Sequence, residues 1–218
     1  MFKSKKLSRF RNLNHGFFNR MGGKSTGIFK SLNCGLGSAD QKKNILSNLA
    51  IVKKKINAQS KKIILLNQTH SAKFHFISKT LKVIKNKFNG DALITNKSNL
   101  PIAVLTADCA PVLIYDEKIK MIAAIHSGWK GAYKDIIIKV INFMIKKGCL
   151  SKNITAVIGP CISVNSYQVK DDFISKFIKK DKKNRIFFKK TNNKNYFNLS
   201  KYIYSQLKAL NIKKIDII

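Results

Sequence analysis

The sequence predicts a mixed α/β fold, a single compact domain of mixed β-sheets flanked by helices, on three observations. Short apolar or β-branched runs of strand length recur along the chain, and stretches with helical periodicity fall between them. No internal repeat, no Pro- or Ser-rich linker and only 3 prolines interrupt the 218 residues, so nothing marks a domain boundary. That length also suits one hydrophobic core, and residues 1–218 are read as one catalytic domain.

The elements follow in order. The N-terminus, MFKSKKLSRFRN, is basic and lacks the apolar stretch of a signal peptide. A helix is expected over 40–56, with Ser38 and Asp40 as candidate caps. Residues 62–66 (KIILL), 102–105 (IAVL), 112–115 (VLIY), 121–125 (MIAAI) and 154–158 (ITAVI) read as buried strands, and 73–77 is strand-like. A helix over 131–147 ends at Gly148, and its Ile136, Ile137, Val140, Ile141, Met144 and Ile145 form an apolar stripe that packs on a sheet. Further helices are expected over 171–180 behind Asp171 and over 199–209 behind Asn198. Between those two, a short strand at Ile186–Phe188 lies between lysine-rich (179–184) and asparagine-rich (189–195) surface loops, and a last strand covers 214–218.

The charge balance is extreme: 43 Lys+Arg against 10 Asp+Glu give a net +33. Specific nucleic-acid recognition is nevertheless not the expected reading. The basic residues are 39 Lys and 4 Arg, and Lys, Ile and Asn together make 90 of 218 residues, the signature of an A/T-rich coding bias. The lysines run along the whole chain, whereas planar phosphate and base recognition favours Arg. Salt-sensitive stickiness towards polyanions is the expected consequence. No run approaches a membrane span, so a cytoplasmic protein is expected. The 4 cysteines form no CxxC and suggest no disulfide framework.

Chemistry points to three residues. His70 follows IILLNQT, Cys109 follows IAVLTAD and His126 follows MIAAI, so each lies just beyond an expected strand, where ligands gather in α/β sheets. Two imidazoles and a thiolate suit a catalytic zinc with one open position. Read from the residues alone, two satisfied histidines and an inert buried thiol are the favoured reading. Asp91 and Asp108 also lie at strand ends, where either can orient a histidine, move a proton or form a turn. The turn Gly128-Trp129-Lys130-Gly131 opens a helix and offers backbone N–H groups to an anion. His75 and Cys161 read as packed structural residues, Cys34 and Cys149 as incidental, and His15 as either structural or functional.

The segments His15–Gly23, Ser31–Asn33, Asn67–His70, Asp91–Thr95, Ala107–Leu113, His126–Gly131, Ile158–Ile162 and Tyr167–Val169 occur in an order that resembles the YfiH family of laccase-domain (polyphenol oxidase) proteins. The resemblance covers about residues 14 to 218. It implies an α/β fold related to toxin-type cysteine hydrolases and zinc held by His70, Cys109 and His126, which are also the catalytic residues. It further implies purine nucleoside phosphorolysis, releasing base and ribose 1-phosphate from adenosine, inosine or guanosine, with adenosine deaminase and methylthioadenosine phosphorylase activities. Purine nucleosides and inorganic phosphate are then the partners, with no specific nucleic acid, no membrane, and a monomer or weak homodimer. Substrate contacts are expected from Arg20, Asp91, Gly128 and Lys130. The family's link to peptidoglycan editing leaves a muramoyl-type substrate as an alternative, beside a metal-free hydrolase using Cys109 and a basic nucleic-acid-binding protein. Ser71, Ser127, Lys130 and Cys34 depart from the usual pattern. Relatives also continue past the strand matching 214–218 into a Cys-Thr segment and a Phe-Ser-Tyr-Arg-Arg motif, which this sequence, ending at Ile218, lacks.

Overall fold

The structure, a computed structural model, describes residues 1–58, 62–78 and 88–218. A six-stranded mixed sheet forms the centre, built from β1 (Phe74–Ile77), β2 (Ala92–Thr95), β3 (Ala110–Asp116), β4 (Met121–Ser127), β5 (Ile154–Ile158) and β9 (Lys214–Ile217) in the spatial order β1-β2-β4-β3-β5-β9. The two outer pairs, β1·β2 and β5·β9, are parallel; the inner pairs β2·β4, β4·β3 and β3·β5 are antiparallel. A second, antiparallel sheet joins β6 (Gln168–Val169), β7 (Phe188–Thr191) and β8 (Lys194–Phe197). The mixed α/β architecture expected from the sequence is the one present.

Alternation along the inner strands divides the core in two, as the period-two geometry of a strand requires. Val112, Ile114, Ala123, Ile125, Ala156 and Ile158 face the helices, and Leu113, Tyr115, Ile122 and Val157 face the N-terminal segment with Leu7 and Phe17. On the helical side lie α2 (Trp129–Tyr133), α3 (Ile136–Lys146) and α5 (Leu199–Ala209). Ile136, Ile137, Val140, Ile141 and Met144 of α3 are fully buried, each stabilising the fold by about 1.5–3 kcal/mol. Ile145, expected in the same stripe, is exposed at the stripe's edge.

Several expected boundaries move. The helix expected over 131–147 is two helices, because Asp135 takes a left-handed conformation (φ 63°) and breaks the ladder between α2 and α3. The helix expected over 40–56 is α1 (Lys42–Lys55), and neither Ser38 nor Asp40 caps it: Asp40 is drawn instead into hydrogen bonds from Ser25 and Asn33. α4 (Asp171–Lys180) spans the expected residues, although Asp171 is its first residue rather than its cap, and the Asn198 cap of α5 stands where the sequence put it. The strand expected at Ile186–Phe188 gives way to a 3₁₀ turn over Lys182–Phe187, and the asparagine-rich loop is the hairpin β7–β8. Segments 62–66 and 102–105 are not strands; one isolated bridge, Ile64 with Ile102, joins them.

Candidate metal centre

Sheet topology brings the chemistry together at one point of the rim. Because β4 runs antiparallel to both β2 and β3, its carboxyl end meets the amino ends of its two neighbours. His126 lies near the end of β4, opposite Pro111 of β3, so Cys109 stands immediately beside it. Asp91 precedes β2, whose first residue, Ala92, pairs with Ile125. His70 reaches the same point from a loop, in a left-handed backbone conformation (φ 54°) that a non-glycine residue holds only when its surroundings impose it. One potential ligand atom from each of His70, Cys109 and His126 then lies within 4.8 Å of the others. The two imidazoles meet edge to face, 4.8 Å between centroids. The sequence grouped these three correctly for a partly wrong reason: among them only His126 stands at the carboxyl end of a strand.

Asp91 imposes that arrangement. Its carboxylate is fully buried and accepts from His126 Nδ1 (2.8 Å), from the His70 main-chain N–H (3.0 Å), and from both the N–H and hydroxyl of Ser71 (2.6 Å each). Burial alone would raise its pKa, but the hydrogen bonds from His126 and Ser71 outweigh it and hold the carboxyl well below the usual range. Burial likewise opposes the charge on His126, yet Asp91 and Cys109 outweigh it and push its pKa up to about 9. With Nδ1 donating to Asp91, His126 directs Nε2 at the shared point, the usual carboxylate–histidine–metal relay. Asp91, expected to touch substrate, is thus placed behind His126. Ser71, in the sequence only a departure from the family pattern, supplies two of the bonds that fix it, and a hydroxyl directly after His70 is the signal that could have found it.

At Gly128 the main chain passes close against the cluster. It starts α2, and a Cβ built on it would stand 2.6 Å from Cys109 Sγ and 3.3 Å from the His70 ring. Its missing side chain makes room for the cluster. Lys130 is exposed, with its ammonium 5.7 Å from the Trp129 ring centroid.

The cluster opens on a cavity of about 770 Å³ between the sheet, the N-terminal segment and α1. His70, Cys109 and His126 line it, as do Arg20, Asp108 and His15. Gly128, Lys130 and Asp91 are not among its lining residues. No described lysine lines it, although 39 occur in the chain. The donor set fits a borderline-soft divalent ion, two nitrogens and one sulfur with room for a further ligand, and does not suit a hard all-oxygen cation. Four histidines in the whole sequence are too few for a multicopper centre.

The profile described as multi-copper polyphenol oxidoreductase laccase matches residues 14–218. The chain belongs to this laccase-like, YfiH family. A protein named purine nucleoside phosphorylase from Rickettsia prowazekii is 35% identical over 173 residues, covering 78% of this chain and 69% of its own length. Another of that name from Bacteroides thetaiotaomicron is 32% identical over 180 residues, 79% and 67% of the two chains. Among solved structures, the YfiH protein of Bacillus licheniformis superposes with a TM-score of 0.83 at 25% identity, covering 91% of this chain and 79% of that one. A Neisseria meningitidis protein of the DUF152 family superposes with 0.79 at 26% identity, over 91% and 78%. YfiH relatives that carry the name purine nucleoside phosphorylase therefore support a phosphorylase-like function.

Proposed function

We propose that this YfiH-family chain is a zinc-dependent purine nucleoside phosphorylase that releases free base and ribose 1-phosphate from adenosine, inosine or guanosine. Adenosine deamination and methylthioadenosine phosphorolysis are assigned to the same site. The observation that carries the reading is the His70–Cys109–His126 cluster facing a cavity of about 770 Å³, roomy enough for a nucleoside, in a chain whose relatives bear that name.

His70 Nε2 or Nδ1, Cys109 Sγ and His126 Nε2 would hold the ion, and bound zinc supplies a Lewis acid at the mouth of the cluster. The chain's own groups do the rest. Asp91 keeps the His126 proton on Nδ1 and so leaves Nε2 free to ligate. Arg20, the one Lys or Arg side chain on the described lining, holds phosphate or another anionic part of the reactants with paired N–H donors. Phosphate oxygen then bonds to C1′ as the bond from C1′ to the purine nitrogen breaks, and the purine leaves with a proton. Asp108, exposed on the cavity wall beside Cys109, is assigned to relay that proton from solvent.

A lining without lysine among the described residues favours an uncharged nucleoside over a nucleotide-linked muramoyl substrate, which would bring several negative charges into it. The test is chromatography of adenosine and inosine incubated with metal-quantified protein, with and without phosphate. Phosphate-dependent appearance of base and ribose 1-phosphate is expected. Protein that carries zinc yet cleaves neither nucleoside rules out the phosphorylase reading, and turnover in chelator-treated protein returns Cys109 to the role of nucleophile.

A further inference from the structure

His126 is fixed by a seven-residue strand, but neither His70 nor Cys109 lies in one. The segments leading to them, 62–68 and 102–105, share a single bridge, formed by Ile64 N–H donating to Pro101 O (2.9 Å) and Ala103 N–H donating to Ile64 O (3.0 Å). Past that bridge their main chains make no further hydrogen bond to each other among the described residues. A side chain takes over. Gln68 Nε2 donates to Leu105 O at 2.7 Å, and Gln68 Oε1 accepts from Leu105 N–H at 2.7 Å.

A carboxamide is planar and presents a donor and an acceptor side by side, so it grips one residue's peptide groups as a neighbouring strand would. Its position gives this grip a consequence. His70 follows Gln68 by two residues, and Cys109 follows Leu105 by four; Thr106, Ala107 and Asp108 between them are exposed. The next main-chain tie on that side is Ile162 N–H donating to Asp108 O, at 2.9 Å. Asp91 fixes His70 relative to His126, but it makes no bond to the segment bearing Cys109.

Resting on the reading of the cluster as a metal site, we infer that Gln68 is a positioning residue of that site: its carboxamide sets the separation of His70 from Cys109 by joining the two loops that carry them. It holds no ligand itself and acts through the backbone of Leu105.

The test is Co²⁺ titration of the chelator-treated full chain, read by affinity and by the near-ultraviolet thiolate-to-cobalt band, which reports Cys109 in the coordination shell. Gln68→Met removes both hydrogen bonds at nearly constant volume. It is expected to weaken Co²⁺ binding about tenfold or more and to diminish or shift the band, the range seen when a group supporting a ligand is lost. Gln68→Glu, which keeps the acceptor, should fall between it and the wild type. Gln206→Met is the matched control: Gln206 also clamps a backbone carbonyl, Ala132 O, but at the α2–α5 contact. It should lower the melting temperature and leave the cobalt affinity and band unchanged. Wild-type affinity and spectrum in folded Gln68→Met would overturn the inference, as would an equal loss in Gln206→Met. If Gln68→Met does not fold, wild-type binding by Gln68→Glu overturns it. A wild-type chain that binds no Co²⁺ defeats the metal reading itself, a failure visible before any variant is made.

Discussion

At the scale of single residues, the centre depends on Asp91 and Gly128 as much as on the three candidate ligands. The Asp91–His126 pair carries a pH signature whose sign follows from the two shifts. Asp91 is depressed from an ordinary 3.8, so its contribution to stability is present above that pH and is lost as pH falls. His126 is raised from 6.5 to about 9, so its contribution is complete below 6.5 and is lost as pH rises through about 9. With chelator present, the stability difference between the wild type and His126→Gln should therefore be largest between about pH 4 and 6.5. Denaturant titration across pH 3 to 10 checks this, and a difference that grows towards pH 9 would contradict it. Gly128→Ala, in turn, places a methyl group against Cys109 Sγ, so zinc affinity should fall by about tenfold or more while α2 persists. Equilibrium dialysis measures the first and circular dichroism the second. The sequence made the three candidate ligands visible because their residue types are rare in this chain. The close packing at Gly128 is not legible in the sequence, because a glycine before a helix carries no sign of the atoms beside its missing Cβ.

At the scale of elements, the sequence disclosed most where burial imposes one period. β3, β4 and β5 and the stripe of α3 are apolar runs that only a sheet-and-helix core can cover. It disclosed less where a single backbone conformation decides. Asp135 ends α2 by turning left-handed, and no change in the apolar pattern announces it. The β7–β8 turn uses Asn192 and Asn193 at φ 49° and 56°, the left-handed pair that a two-residue hairpin requires, so an asparagine run taken for a loop is a hairpin signal. Segments 62–66 and 102–105 have strand composition, but their pairing stops after one bridge and passes to the Gln68 side chain. One local signal held: Asn198 caps α5 by accepting from Lys201 N–H at 2.9 Å. Asn198→Ala should cost about 1 kcal/mol and lower the melting temperature by about 2–4 °C, with nucleoside turnover unchanged. Differential scanning calorimetry beside an activity assay tests both halves of that expectation.

Across the whole molecule, charge and cavity are segregated. A net +33 is spread over the surface, while the described lining of the large cavity contains Arg20 and no lysine. Binding of a polyanion such as heparin or DNA should therefore weaken steeply and linearly in log–log form as salt rises, without preference for sequence. The KM for an uncharged nucleoside should barely change over the same range, and a parallel change in the two would show that the lysine surface reaches the site. His70 from a loop, Cys109 at a strand entry and His126 at a strand exit are assigned to one metal centre. That assignment is tested most directly by the zinc content of the purified chain, measured by mass spectrometry beside Cys109→Ala and His126→Ala variants of matched folding. One zinc per wild-type chain, with none retained by either variant, is the predicted result. Zinc retained at full stoichiometry by both variants, or absent from a wild-type chain given excess zinc, would contradict it.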